Sequence, residues 1–160
     1  MNQNRVILLV EDNPSDIDLT KRALQKGRMV NPLVVVEDGQ EALDYLFGTG
    51  RHEGHTVCDV PALALLDLKL PKVPGLEVLR RIRADARTKR LPVVILTSSR
   101  ENHDLAGGYD GGANSYVVKP VDFKQFQHAI EQMGRYWTVL NETLPGSALP
   151  ELPGLEAFQP

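Results

Sequence analysis

Five short apolar runs, each ending in a polar residue, constrain this chain more than anything else in it. Residues 6–10 (VILLV) run into Glu11 and Asp12, and residues 62–66 (ALALL) into Asp67. Residues 93–96 (VVIL) end at Thr97, and residues 116–118 (YVV) at Lys119-Pro120. A fifth run, residues 33–36, precedes Glu37-Asp38-Gly39. Continuous apolar runs of this length, bounded by turn residues, read as strands buried on both faces, as in a parallel sheet. Ligands of open parallel sheets bind at the carboxyl ends of the strands, so these polar residues should converge on one rim.

Helical patterns alternate with the strands. Asn13-Pro14-Ser15 offers a turn and cap before a helix over 16–26, with Gly27 expected as its C′ residue. Residues 40–47 and 76–84 carry apolar faces of helical period, and a long last helix is expected over 121–140. Only a weak helix is expected over 101–106, because Gly107, Gly108, Gly111 and Gly112 oppose its extension. Residues 48–61 read as a loop. Five strand-then-helix units predict a doubly wound α/β domain, a five-stranded parallel sheet with helices on both faces.

In the last helix, Phe123, Phe126, Ile130, Met133, Trp137 and Leu140 recur at helical spacing. Its first half suits packing on the sheet. By its fifth turn it has run about 25 Å, so Tyr136, Trp137 and Leu140 should be half exposed unless something covers them. The expected division is a domain over 1–141 and a Pro- and Leu-containing acidic tail over 142–160. The tail is expected to pack on a helix of its own chain or of a partner subunit, the alternative being a free end. No output domain is expected to follow.

Charge and cysteine usage exclude several classes. Net charge is −3, and the last 19 residues hold Glu142, Glu151 and Glu156 without a Lys or Arg, so the rest balances to zero. No basic stripe recommends a nucleic acid. No run nears the ~20 apolar residues of a membrane span, and no signal peptide is expected before the first strand. The single cysteine, Cys58, fits a reducing cytoplasm.

The rim has the donors for a hard cation and a phosphoryl group. Mg²⁺ prefers oxygen and takes one or two carboxylates. Asp12 and Asp67 suit that role, with a backbone carbonyl just past Asp67 and the longer Glu11 in support. Clustered carboxylates raise one another's pKa values unless a cation sits among them. An ionised Asp67 can attack phosphorus. Lys119 can pair with one phosphoryl oxygen and Thr97 donate to another. A cis Lys119-Pro120 bond would aim the ammonium inward. Each residue alone is most simply a strand-end group meeting water; all of them in this order are not readily explained so.

With these stretches in view, the chain resembles the receiver domains of two-component response regulators. The resemblance rests on residues 7–12 (ILLVED), 65–71 (LLDLKLP), 94–98 (VILTS) and 112–120 (GANSYVVKP). It implies a flavodoxin-like strand order, 2-1-3-4-5. It implies Asp67 as phospho-acceptor, and Glu11, Asp12, Asp67 and the Lys69 backbone carbonyl as ligands for Mg²⁺, with Mn²⁺ an alternative. Thr97 becomes the switch hydroxyl, Tyr116 the switch aromatic and Lys119 the phosphoryl-binding lysine. The implied donor is a sensor histidine kinase, and the only chemistry is the protein's own phosphorylation and slow autodephosphorylation. Lys69, two residues after the acceptor, and Ser99 are expected to tune the phosphoryl lifetime.

The long loop, Tyr136-Trp137 and the tail resemble the single-domain regulators that accompany bacterial phytochromes. That implies a red-light photoreceptor kinase upstream and a homodimer through the fourth and fifth helices and fifth strand. Two other readings compete. A haloacid-dehalogenase-type phosphatase needs a second aspartate where Lys69 stands; a receiver-like scaffold would take no phosphate. His52-Glu53-Gly54-His55 falls one residue short of a zinc H-E-x-x-H motif and is expected to be solvated.

Overall fold

The computed structural model describes residues 5–54, 60–119 and 122–140. Elements alternate along the chain: β1 (Ile7–Val10), α1 (Pro14–Lys26), β2 (Leu33–Val36), α2 (Gly39–Phe47), β3 (Leu63–Leu66), α3 (Gly75–Ala84), β4 (Val93–Thr97), α4 (Asn102–Asp110), β5 (Ser115–Val118) and α5 (Phe123–Arg135). The sheet is parallel in the order β2-β1-β3-β4-β5, the doubly wound arrangement expected from the sequence. Val10 pairs with Leu66 and Thr97 with Val118, which brings the polar residues after β1, β3, β4 and β5 to one edge.

Side-chain alternation divides the core in two. Leu8, Val10, Ala64, Leu66, Val93 and Ile95 face α2 and α3, where Leu43, Leu46, Val78, Leu79 and Ile82 meet them. Ile7, Leu9, Leu63, Leu65, Val94 and Leu96 face α1 and α5, against Ala23, Leu24, Phe126, Ile130 and Met133. Both strand faces are buried, which is why β1 and β3 are apolar at every position.

Helix ends follow local chemistry. Asn13 caps α1 through Ser15 and Asp16, with Pro14 at the first helical position. Asp38 caps α2 through the Glu41 amide, and Gly48, in the left-handed region at φ 68°, ends it. Gly75 opens α3 because nothing larger fits: a Cβ there would lie 2.2 Å from the Asp67 carbonyl oxygen. Its amide bonds the Leu68 carbonyl at 2.9 Å, so α3 starts directly beneath the Asp67 loop.

Three expectations need correction. Gly27 does not adopt the left-handed conformation; it sits at φ −75°, and Arg28 takes the positive φ instead (57°). The fourth helix does not stop at residue 106 but runs through Gly107 and Gly108 to Asp110. Tertiary packing overrides propensity there, since Gly108 lets the helix backbone close on Ile95 and Tyr116. The last helix is regular only to Arg135 and continues as a π-helical turn, Tyr136–Leu140. Tyr136 and Leu140 are exposed, while Trp137 is partly buried against the α1–α5 core. Residues 142–160 and Pro120, with the tail packing and cis bond expected of them, lie outside the described residues. Among the described residues no helix is long and apolar enough to cross a membrane.

Candidate functional site

Glu11, Asp12 and Asp67 meet at the carboxyl edge of the sheet, each offering one carboxylate oxygen within 4.8 Å of the others. Glu11 is 2% exposed and Asp67 9%, while Asp12 faces solvent. The β1 and β3 ends set this spacing through the Val10–Leu66 register. An all-oxygen donor set half open to water fits a hard divalent cation such as Mg²⁺ or Mn²⁺. Of the described residues, this is the one cluster of such groups with metal-ligand spacing. His52 instead stacks edge-on with Tyr45, its centroid 5.2 Å away, and lies 3.6 Å from Glu41; His55 is outside the described residues.

Lys119 reaches this cluster from the end of β5. Its ammonium donates to Glu11 Oε1, to Asp16 Oδ2 at 2.9 Å and to Asp67 Oδ2 at 3.4 Å, and its side chain is 10% exposed. The second Glu11 oxygen accepts the Asp12 and Asn13 amides at 3.1 and 3.2 Å. Asp67 Oδ1 accepts the Leu68 amide at 2.7 Å, which fixes the carboxyl plane.

Burial pushes the Glu11 carboxyl up to about 7, and the Asp67 charge adds to it while the Lys119 hydrogen bond opposes. Burial alone would lower Lys119, but the bonds from Glu11 and Asp16 outweigh it and raise it, so the lysine stays charged. More carboxylate than ammonium thus surrounds a poorly hydrated point, the electrostatic condition that a divalent cation relieves.

The other rim residues form a second chain of contacts toward α4. Thr97 is fully buried; its carbonyl accepts the Lys119 amide at 2.8 Å, and its hydroxyl oxygen accepts the Ser99 amide at 3.4 Å. The Ser99 hydroxyl donates to Asp104 Oδ2 at 2.5 Å, and the Tyr116 hydroxyl donates to the Ser99 carbonyl at 3.1 Å. The Ser99 hydroxyl, with His103 and Lys69 adding, holds Asp104 below the usual carboxylate range. Burial raises the Tyr116 phenol, with Asp104, Asp67 and Glu101 contributing. Lys69 itself is exposed.

The fold therefore brings Glu11, Asp12, Asp67 and Lys119 into one cluster and ties Thr97 and Tyr116 to it through backbone and Ser99. Sequence reasoning missed Asp16 and Asp104. Asp16 stands at the third position of a capped helix just after the rim, a discernible signal, but its bond to Lys119 spans 103 residues. Asp104 gave no signal, since it follows a loop whose course the sequence does not specify.

Comparison with known proteins agrees with this geometry. Residues 7–131 match the response regulator receiver domain family. The probable methanogenesis regulatory protein FilR2 of Methanothrix harundinacea is 40% identical over 143 residues, 89% of each chain. Response regulator Rcp1 of Synechocystis is 34% identical over 91% of this chain and 97% of its own. Its Mn²⁺-bound crystal structure superposes with a TM-score of 0.79 over 88% of this chain and 99% of that one. The phosphorylated cyanobacterial phytochrome response regulator RcpA is 37% identical with a TM-score of 0.80, over 89% of this chain and 99% of its own. The bacteriophytochrome response regulator AtBRR is 53% identical with a TM-score of 0.69, over 87% and 99%. Match, sheet order and rim agree, and this chain belongs to the response regulator receiver domain family.

Proposed function

We propose that the chain is a phospho-accepting switch in which Asp67 takes a phosphoryl group from the phosphohistidine of a sensor histidine kinase. The observation that carries this reading is the nearly buried Asp67 carboxylate set between Lys119 and the acidic pair Glu11–Asp12. One Asp67 oxygen attacks phosphorus, the phosphorus–nitrogen bond breaks, and the leaving imidazole nitrogen keeps the electron pair and takes a proton from solvent water. Glu11, Asp12, Asp67 and the Lys69 carbonyl would hold Mg²⁺, or Mn²⁺, which when bound offsets the charge of acceptor and phosphoryl group together. Lys119 pairs with a phosphoryl oxygen, and the Thr97 hydroxyl turns toward another. Because Ser99 joins Thr97 to both Tyr116 and α4, that turn is passed to the α4–β5 surface.

The likeness to AtBRR and RcpA supports a photoreceptor kinase of the phytochrome type as the donor. Exposed Leu105, Tyr109, Tyr136 and Leu140 on α4 and the end of the last helix support a homodimer through this surface.

Acetyl phosphate with Mg²⁺ tests the chemistry by intact mass. The wild-type chain gains one phosphoryl mass and Asp67→Asn gains none; no gain in the wild type refutes the reading. Light scattering tests the dimer, which a monomeric mass for the full-length chain would dismiss.

A further inference from the structure

Lys119 has three N–H donors, and each has a different carboxylate to meet: Glu11, Asp16 and Asp67. Two of these partners have other duties in the reading above. Asp67 is the reacting group. Glu11 has its second oxygen committed to two backbone amides, so Oε1, the atom that accepts the Lys119 ammonium, is also the oxygen left to face a cation. Asp16 alone has no other role.

Asp16 is also placed as an anchor should be. Asn13 Oδ1 accepts its amide at 3.2 Å, Pro14 precedes it at the first helical position, and its carbonyl accepts the Thr20 hydroxyl at 2.8 Å. The carboxylate thus projects from a stiff first turn of α1 rather than from a loop. Its side chain is 29% exposed, but the lysine side chain whose ammonium it holds is only 10% exposed, so the contact is made to a nearly buried partner. A surface ion pair between two free side chains has little positional value; one between a rigid helix start and a nearly buried lysine fixes a direction.

We propose that Asp16 is a positioning residue that holds the Lys119 ammonium beside Asp67 independently of Glu11. The lysine then neither follows Glu11 nor collapses onto the acceptor, and stays aimed where a phosphoryl oxygen arrives. This rests on the phospho-accepting reading for its consequence, though not for the contact.

The test is a double-mutant cycle on the full chain with acetyl phosphate and Mg²⁺, joined to a measurement that needs no phosphorylation. Asp16→Ala slows phosphoryl uptake by about ten- to a hundredfold, the upper end being the cost of a group misplaced by about 1 Å, and Asp16→Asn, which keeps an acceptor oxygen, recovers part of the loss. Lys119→Met slows uptake further, and Asp16→Ala then adds nothing in that background. An equal slowing in both backgrounds overturns the proposal.

The second arm follows the lysine ammonium groups by ¹⁵N–¹H NMR in the metal-free protein. The Lys119 signal, identified by its loss in Lys119→Met, is protected from solvent exchange in the wild type, weakened in Asp16→Asn and lost in Asp16→Ala. An unchanged signal in Asp16→Ala overturns the proposal. If the wild type takes up no phosphoryl group, the reaction assigned to Asp67 fails, and the ammonium signal still decides the role of Asp16. Should Asp16→Ala not fold, the Asn variant carries both arms, and wild-type behaviour in it overturns the claim.

Discussion

The α1–α5 layer and α4 pack on opposite faces of one sheet, and they are held by different means. α5 buries Phe126, Ile130 and Met133 against Ala23 and Leu24 of α1 and the β1, β3 and β4 side chains. α4 buries one residue, Gly108, and leaves Leu105 and Tyr109 exposed. Hydrogen bonds hold its two ends: Ser99 to Asp104 at the start, and the Gly112 and Ala113 amides to the Tyr109 and Gly108 carbonyls at the finish. The rim joins both layers, through Lys119 to Asp16 on one side and through Thr97, Ser99 and Tyr116 on the other. Under the proposed function, a charge event at Asp67 would pull between a stiff element and a loosely seated one, and α4 is the one expected to move.

The contrast is broken most directly by truncating one side chain in each layer. Ile130→Ala should cost about 2–5 kcal/mol, as for a fully buried aliphatic residue. Leu105→Ala in α4 should stay within about 0.5 kcal/mol. Urea denaturation of both variants measures the difference, and comparable losses would remove the distinction between the layers.

The glycines of α4 sharpen it. Alanine in place of a helical glycine gains about 1 kcal/mol from backbone entropy and propensity. At Gly107 the new methyl would approach only Leu76 Cδ1, at 3.0 Å, the flexible end of a partly buried side chain, so Gly107→Ala should be neutral to stabilising. At Gly108 it would lie 2.7 Å from Ile95 Cδ1 and 3.0 Å from the Tyr116 ring. Ile95 is fully buried and cannot give way. Overpacking of about 1–3 kcal/mol then outweighs the gain, and Gly108→Ala should melt below the wild type. Opposite signs at adjacent glycines are the expected result.

A smaller effect is expected at the start of α4. Ser99→Ala removes the hydroxyl that Asp104 accepts, worth about 1 kcal/mol at a partly exposed pair. Hydrogen exchange should quicken in the α4 amides and leave those of α5 unchanged. Equal quickening in both helices would mean that α4 is not separately held.

These distinctions were only partly legible in the sequence. The strands were, because a strand buried on both faces must be apolar at successive positions, and their polar ends marked the rim. The cap at Asn13 was local as well. The length of α4 was not: the propensity cost of Gly107 and Gly108 is visible in the sequence, but the close approach to Ile95 and Tyr116 that offsets it is made across the fold. For the same reason Lys119 could be assigned to the rim while Asp16, its partner from α1, could not. The left-handed residue after α1 fell on Arg28 rather than Gly27, a one-residue shift of a kind that helix-end patterns resolve poorly.

The smallest effect comes from α3, which shares a face with α4 but is anchored like α5, through buried Val78, Leu79 and Ile82. Glu77, in its first turn, meets Arg80 at 2.6 Å and Arg81 at 3.2 Å. The Arg80 hydrogen bond, with Arg81 in support, holds its carboxyl down at about 2. A folded-state value below the ordinary one means stability that is present above the unfolded value of 4.5 and is lost as pH falls through 4.5 toward about 2. The ion pairs lie at the surface, so water and salt screen most of the effect. Glu77→Gln should melt slightly below the wild type at pH 6 in low salt. The gap should close by pH 2 and shrink at neutral pH in 1 M salt. A large gap would mean that α3 depends on its surface clip more than on its buried face, and would place it with α4 rather than α5.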